Sequence, residues 1–189
     1  MLREKRGVDY MHAEALEVLP ELLDTLEVRE PVLVGHSDGG SIALVHAAAH
    51  PVSGVVVLAP HVIAEPAALV EIRDARDAFH EGDLAIRMAP HHRDAGVTFH
   101  NWNDVWLSEA FRSWDLRPLL AGITAPVLAI QGTADPYGTV LHVEAVRDGA
   151  SGPVELLMLN CAHAPHLEAT EPVTAAVVRF LASPSTGSG

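Results

Sequence analysis

Residues 31–40 read Pro31-Val-Leu-Val-Gly-His-Ser-Asp-Gly-Gly40, and this stretch decides how the rest of the chain is read. A short apolar run ending at glycine has the pattern of a strand buried on both faces. Ile42 to His50 continues with helical character and is closed by Pro51. Strand, tight turn and helix therefore meet at Ser37. In that setting Gly35-His-Ser-Asp-Gly39 is a G-x-S-x-G turn with a physical purpose. A serine at the tip of such a turn takes a strained backbone, and side chains two positions to either side are expected to collide. Its Oγ would project beyond the carboxyl end of the strand. The amide of Asp38, at the start of the helix, would face the place where an oxyanion develops. A glycine-rich turn with an incidental serine is the alternative, and the flanking elements weigh against it.

Working outward, Val55-Val-Val-Leu-Ala59, Val127-Leu-Ala-Ile130 and Val154-Glu-Leu-Leu-Met-Leu159 are three more buried-strand runs. Residues 139–148 and 172–182 read as helices, the second with Pro172 in its first turn. Residues 12–27 carry Leu16, Leu19, Leu22, Leu23 and Leu26 at helical spacing, with Pro20 predicting a kink or a late start. Strands alternating with helices imply a parallel sheet with right-handed crossovers. Residues 61–122 break the alternation. They lack strand signals and hold all three tryptophans, which predicts a helical insertion lying over one end of the sheet as a lid. The tail from Ser183 to Gly189 is expected to fray.

A serine hydroxyl needs a base, and the base needs an orienting acid. Both occur in the order Ser, Asp, His that this strand–turn–helix context calls for. The third strand runs into Gln131-Gly-Thr-Ala-Asp135-Pro-Tyr-Gly138, and the fourth into Asn160-Cys-Ala-His163-Ala-Pro-His166. Ser37, Asp135 and His163 thus fall just past the carboxyl ends of three strands, where open parallel sheets bind ligands.

With Gly-His-Ser-Asp-Gly-Gly at 35–40, Gln-Gly-Thr-Ala-Asp-Pro-Tyr-Gly-Thr at 131–139 and His-Ala-Pro-His-Leu-Glu at 163–168, the chain resembles the α/β-hydrolase superfamily. The likeness runs from about Val8 to Leu181, towards bacterial members with a helical cap. It implies a mostly parallel sheet flanked by helices, no cofactor, and hydrolysis of an ester or related acyl bond through an acyl-enzyme. By the family pattern the first histidine, His163 rather than His166, is the base; Ala162 stands where a glycine is usual. Carbon–carbon bond hydrolysis and cofactor-free haloperoxidation share the scaffold. Residues 1–189 are read as one such domain, with the cap at about 61–122 and the strands that normally precede the nucleophile missing. The family's His-Gly loop, source of a second oxyanion donor, has no counterpart, so impaired activity is an expectation. Pro31–Val34 would then be an unprotected edge that invites self-association. A weak or inactive fragment serving as a binding or assembly module is the competing reading.

A formal charge of −13, from 12 basic and 25 acidic residues, argues against nucleic acid and anionic membranes as partners. No apolar run approaches the roughly 20 residues that cross a bilayer, and no apolar h-region follows the N-terminal charges. One cysteine, Cys161, excludes an intrachain disulfide, and a cytoplasmic location is expected. His80, His91, His92 and His100 lack the spacing of a metal site. For substrate contacts the candidates are His36, Trp102, Trp106 and Tyr137. His36 is weighed against a packed histidine bonded to backbone. The two tryptophans, four apart on one helix face, are weighed against cap core. The implied substrate is a small apolar carboxylic ester.

Overall fold

The computed structural model describes residues 5–183. Of the expected frayed tail, residues 184–189 lie outside the described residues. The N-terminal region runs as α1 (Tyr10–Ala13), a π-helical stretch Glu14–Val18, and α2 (Leu19–Thr25). Pro20 sits in the first turn of α2, where its missing N–H costs least. The leucine stripe is not the face that packs. Leu16, Leu22 and Leu26 are exposed, while Tyr10, Met11 and Ala15 are buried. Only Leu16 lies in the π-helical stretch; the other leucines belong to α2 or its C-cap, and α2 has no buried residue on any face.

Among the described residues the four strands are β1 (Val32–His36), β2 (Gly54–Leu58), β3 (Val127–Gly132) and β4 (Val154–Leu159), parallel throughout and ordered as in the sequence. β2 and β3 are buried along their whole length, as their unbroken Val/Leu/Ile runs dictate. β1 is an edge among the described residues, with Val34 61% exposed. α3 (Asp38–Ala49) begins directly after Ser37, four residues earlier than periodicity indicated, because its first turn is Asp-Gly-Gly-Ser and carries no apolar signal.

Between β2 and β3 the chain is helical: α4 (Pro66–His80), α5 (Leu84–Met88) and α6 (Ala95–Trp106), followed by 3₁₀ turns. The two ends of this stretch are stapled together. Leu116 N–H donates to Val62 O at 2.7 Å, Ala64 N–H to Trp114 O at 3.2 Å, and Ile63 bridges Asp115. Aromatic residues fill its interior: Phe79 stacks on Phe99, and Phe111 on Trp114 beside Trp106. α7 (Leu141–Gly149) leads into β4, and α8 (Pro165–Glu168) and α9 (Thr170–Ala182) follow it. Among the described residues no helix is long and apolar enough to cross a membrane.

Candidate active site

Ser37 has φ 53° and ψ −122°, a left-handed backbone that a non-glycine residue adopts only when its surroundings impose it. The imposition comes from the strand and the helix. Ser37 N–H donates to Leu58 O in the sheet, while Ser37 O accepts from the N–H of Gly40 and Ser41 in α3. A Cβ at Gly35 would run into the backbone of Gly39. At Gly39 a Cβ would meet nothing, so the expected two-sided collision is one-sided. As the first residue of α3, Asp38 has an N–H with no intrahelical acceptor.

His163 Nε2 lies 3.0 Å from Ser37 Oγ. Its Nδ1 lies 3.0 and 2.9 Å from the two carboxylate oxygens of Asp135. Three residues from the ends of three strands are therefore in one hydrogen-bonded line. The base loop packs directly on the acid loop: a Cβ at Gly132 would run into the carbonyls of Cys161 and Ala162. Burial pushes the Asp135 carboxyl up, but hydrogen bonds from His163, from Tyr137 N–H at 2.8 Å and from Gln131 Nε2 at 2.8 Å outweigh it, and the net position is below the usual carboxylate range. Glu168 accepts from the N–H of Ala162 at 2.7 Å and of Ala164 at 2.9 Å, gripping the backbone on both sides of His163.

A cavity of about 220 Å³ opens on Ser37 and His163. Its walls are Trp102, Trp106 and Ile72 from the helices above, with Tyr137, His61 and Asp38. Three of the four expected substrate contacts thus line it. His36 does not: its Nε2–H donates to the carbonyl of His163 at 2.6 Å, which is the packed-histidine alternative. His61 is buried, and that burial drives its imidazole well below the ordinary value, so it stands in the wall as a neutral ring. Trp106 donates its indole N–H to Tyr10 Oη at 3.1 Å, and Tyr10 in turn donates to the Asp38 carboxylate. Burial raises both the phenol and the carboxyl. Cys161 is buried, with its thiol pushed up, and lies outside the cavity wall. A larger groove, about 330 Å³, sits at the amino ends of the strands, away from Ser37. Among the described residues no three His, Cys, Asp or Glu side chains are grouped to hold a metal.

The sequence reading did not single out Tyr10, His61, Glu65, Gln131 or Glu168. Gln131 left the clearest trace, a polar residue closing the apolar run Val127–Ile130.

No curated protein matches the sequence. Among solved structures, a hydrolase from Pseudomonas aeruginosa PA01 is similar at 24% identity and TM-score 0.70, over 95% of this chain and 74% of that one. An esterase from Exiguobacterium antarcticum is similar at 20% identity and TM-score 0.70, over 94% and 75%. An enol-lactonase from Burkholderia xenovorans LB400 is similar at 26% identity and TM-score 0.67, over 96% and 76%. The family described as Alpha/beta hydrolase matches residues 3–176, a span that takes in the elbow, the acid loop and the base loop. On that match, and on a parallel sheet bearing Ser37 at a strand-to-helix turn, the chain belongs to the alpha/beta hydrolase family.

Proposed function

We propose that the protein is a serine hydrolase that cleaves a compact, largely apolar carboxylic ester through an acyl-enzyme. The observation that carries this is the unbroken line from Ser37 Oγ to His163 at 3.0 Å and on to Asp135 at 2.9 Å. His163 Nδ1–H donates to Asp135, which leaves Nε2 as the acceptor facing Ser37. As Oγ attacks the ester carbonyl, its proton passes to Nε2, and the new oxyanion takes the Asp38 N–H. Collapse of the tetrahedral species breaks the carbonyl–alkoxy bond, and Nε2–H protonates the departing alcohol. Water then attacks the acyl-enzyme, giving its proton to Nε2; on collapse Nε2–H returns a proton to Ser37 Oγ and the acid leaves.

The cavity supports a small acyl or alcohol group, since about 220 Å³ is below the roughly 300–1,000 Å³ of drug-sized pockets. Trp102, Trp106, Ile72 and Tyr137 favour an apolar one. Similarity to a protein named as an enol-lactonase is compatible with a cyclic ester, which the same steps would open. The test is labelling with a fluorophosphonate together with p-nitrophenyl acetate turnover. Ser37→Ala should abolish labelling and lower turnover by about 10⁴–10⁶-fold, and His163→Ala should come close to it. A wild-type protein that neither labels nor turns over would favour a binding or assembly module instead. A crippled His166→Ala beside an active His163→Ala would make His166 the base and overturn the assignment to His163.

A further inference from the structure

Glu65 is an acidic side chain that the proposed chemistry does not use, yet it is 8% exposed. It stands immediately before α4, at the start of the helical stretch over the cavity, and makes no capping bond to that helix. Its carboxylate reaches instead to the far end of the acid loop. Oε2 accepts the Thr139 N–H at 2.9 Å and Oε1 accepts the Thr139 hydroxyl at 2.8 Å. His142 Nε2, fully buried, lies 3.1 Å from Oε2. The Nδ1 of that ring accepts the Val62 N–H at 3.2 Å, so its proton sits on Nε2, near the carboxylate but without a hydrogen-bond partner. Thr139 thus gives the buried carboxylate two hydrogen bonds, one to each oxygen, and the His142 ring adds a close polar contact that lacks hydrogen-bond geometry.

The loop between Asp135 and Thr139 is held from within by Gln131. Its Nε2 donates to Asp135 Oδ2 at 2.8 Å and to Gly138 O at 3.1 Å. The backbone at Gly138 lies on the His142 ring, where a Cβ would come within 2.8 Å of Cδ2. A continuous set of contacts therefore runs from Asp135 through Gln131, Gly138 and Thr139 to Glu65. We propose that Glu65 is a positioning residue, tying the start of the helices over the cavity to the loop after Asp135 and so holding Asp135 against His163. Removing it strands Thr139 N–H and Thr139 Oγ–H without their acceptor in a part-buried place. The loop would relax to find water, and Asp135 is its near end. This inference rests on the proposed roles of Asp135 and His163.

The His163 Nδ1–H proton reads that contact directly, whether or not the protein turns over substrate. Its downfield NMR signal, assigned through His163→Ala, would be followed in the wild type, Glu65→Gln, Thr139→Val and Asp135→Asn, alongside the rate of fluorophosphonate labelling at Ser37. Glu65→Gln and Thr139→Val should broaden or erase the signal and slow labelling by about 10–10²-fold, the scale of a misplacement near 1 Å. In an Asp135→Asn background the added Glu65→Gln should slow labelling by less than about 2-fold, because groups acting as one unit are not additive. An unchanged signal in both variants, its absence from the wild type, or an equal rate loss in the Asp135→Asn background overturns the inference. The last outcome would make Glu65 a structural residue of the helical stretch. If Glu65→Gln does not fold, Thr139→Val, nearly isosteric and lacking only the hydroxyl, decides. A wild type that shows the signal and never labels sinks the serine chemistry alone, and the effect of Glu65 on the signal still stands or falls by itself.

Discussion

His36 donates from Nε2 to the carbonyl oxygen of His163 across 2.6 Å, so the residue before Ser37 holds the backbone of the residue that faces Ser37. Its ring also sits 4.9 Å from that of His163 and 4.8 Å from that of His166. Burial lowers the His36 imidazole, which favours the neutral ring with its single proton committed to that carbonyl. His36→Phe keeps a ring and deletes the donor. The expected result is a fall in kcat of about 3–10-fold, the worth of one hydrogen bond, with KM nearly unchanged. Steady-state kinetics on p-nitrophenyl acetate checks it, and a change confined to KM would put His36 back in contact with substrate.

Glu168 grips the same loop from the other side through the N–H groups of Ala162 and Ala164. Those two hydrogen bonds hold its carboxyl below the usual range. The interaction is therefore complete above the ordinary carboxylate pKa and fades only as pH falls through the depressed folded value. Glu168→Ala should speed amide exchange at Ala162 and Ala164 and lower kcat/KM by about 10-fold at pH 7–8. Glu168→Gln, with one acceptor oxygen left, should fall between. Hydrogen exchange by NMR is the measurement, and amides as protected in Glu168→Ala as in the wild type would remove this role.

The strands, the elbow and the three aligned residues were legible because each leaves a local trace. β2 and β3 are unbroken apolar runs, Gly35 is demanded by a backbone approach within five residues, and Asp135 and His163 each follow a strand directly. Contacts that depend on residues far apart left none. Tyr10 reaches Asp38, and Glu65 reaches Thr139, 74 residues on. Nothing in the vicinity of Tyr10 or Glu65 distinguishes them from solvated side chains, since a partner brought by tertiary packing has no periodicity. The leucine spacing marked the helix and Pro20 its fresh start, but the spacing carries no information on what packs there, and no residue of α2 is buried. His36 carried two readings because a histidine inside the elbow can turn towards the cavity or the base loop, and only the position of the His163 carbonyl selects one.

Acid sensitivity follows from His61 and His142. Burial, first of all, drives His61 well below the ordinary imidazole value and lowers His142 as well. In the unfolded chain both protonate near the reference value of about 6.5. Between that value and the depressed folded ones the unfolded state binds more protons, so unfolding free energy falls as pH falls from about 6.5. Each such site contributes at most about 1.4 kcal/mol per pH unit. Urea unfolding midpoints at pH 8, 7, 6 and 5 should be flat across the first interval and drop across the last two. His61→Phe should flatten the drop while costing some stability at pH 8. A midpoint equally sensitive to pH in that variant would assign the effect to other groups.

The elbow offers the sharpest contrast, between two glycines four residues apart. Gly35 faces the backbone of Gly39 and Gly40, and a Cβ there has no flexible side chain to push aside. The neighbouring backbone is fixed by the sheet bond of Ser37 N–H to Leu58 O and by the first bonds of α3, so it cannot retreat without unmaking the turn. Gly39 lies on the exposed side of α3, where a Cβ meets nothing within 4 Å, and none of the described glycines has a positive φ. Gly39→Ala should therefore fold like the wild type and gain helix propensity, up to about 1 kcal/mol in a favourable case. Gly35→Ala should lose more than about 3 kcal/mol or fail to accumulate as folded protein. Thermal unfolding of the two purified variants, with fluorophosphonate labelling of Ser37 as the readout of the turn, separates them. If Gly35→Ala unfolded within a degree or two of the wild type and still labelled, the left-handed backbone at Ser37 would not depend on the close approach of Gly35 and Gly39.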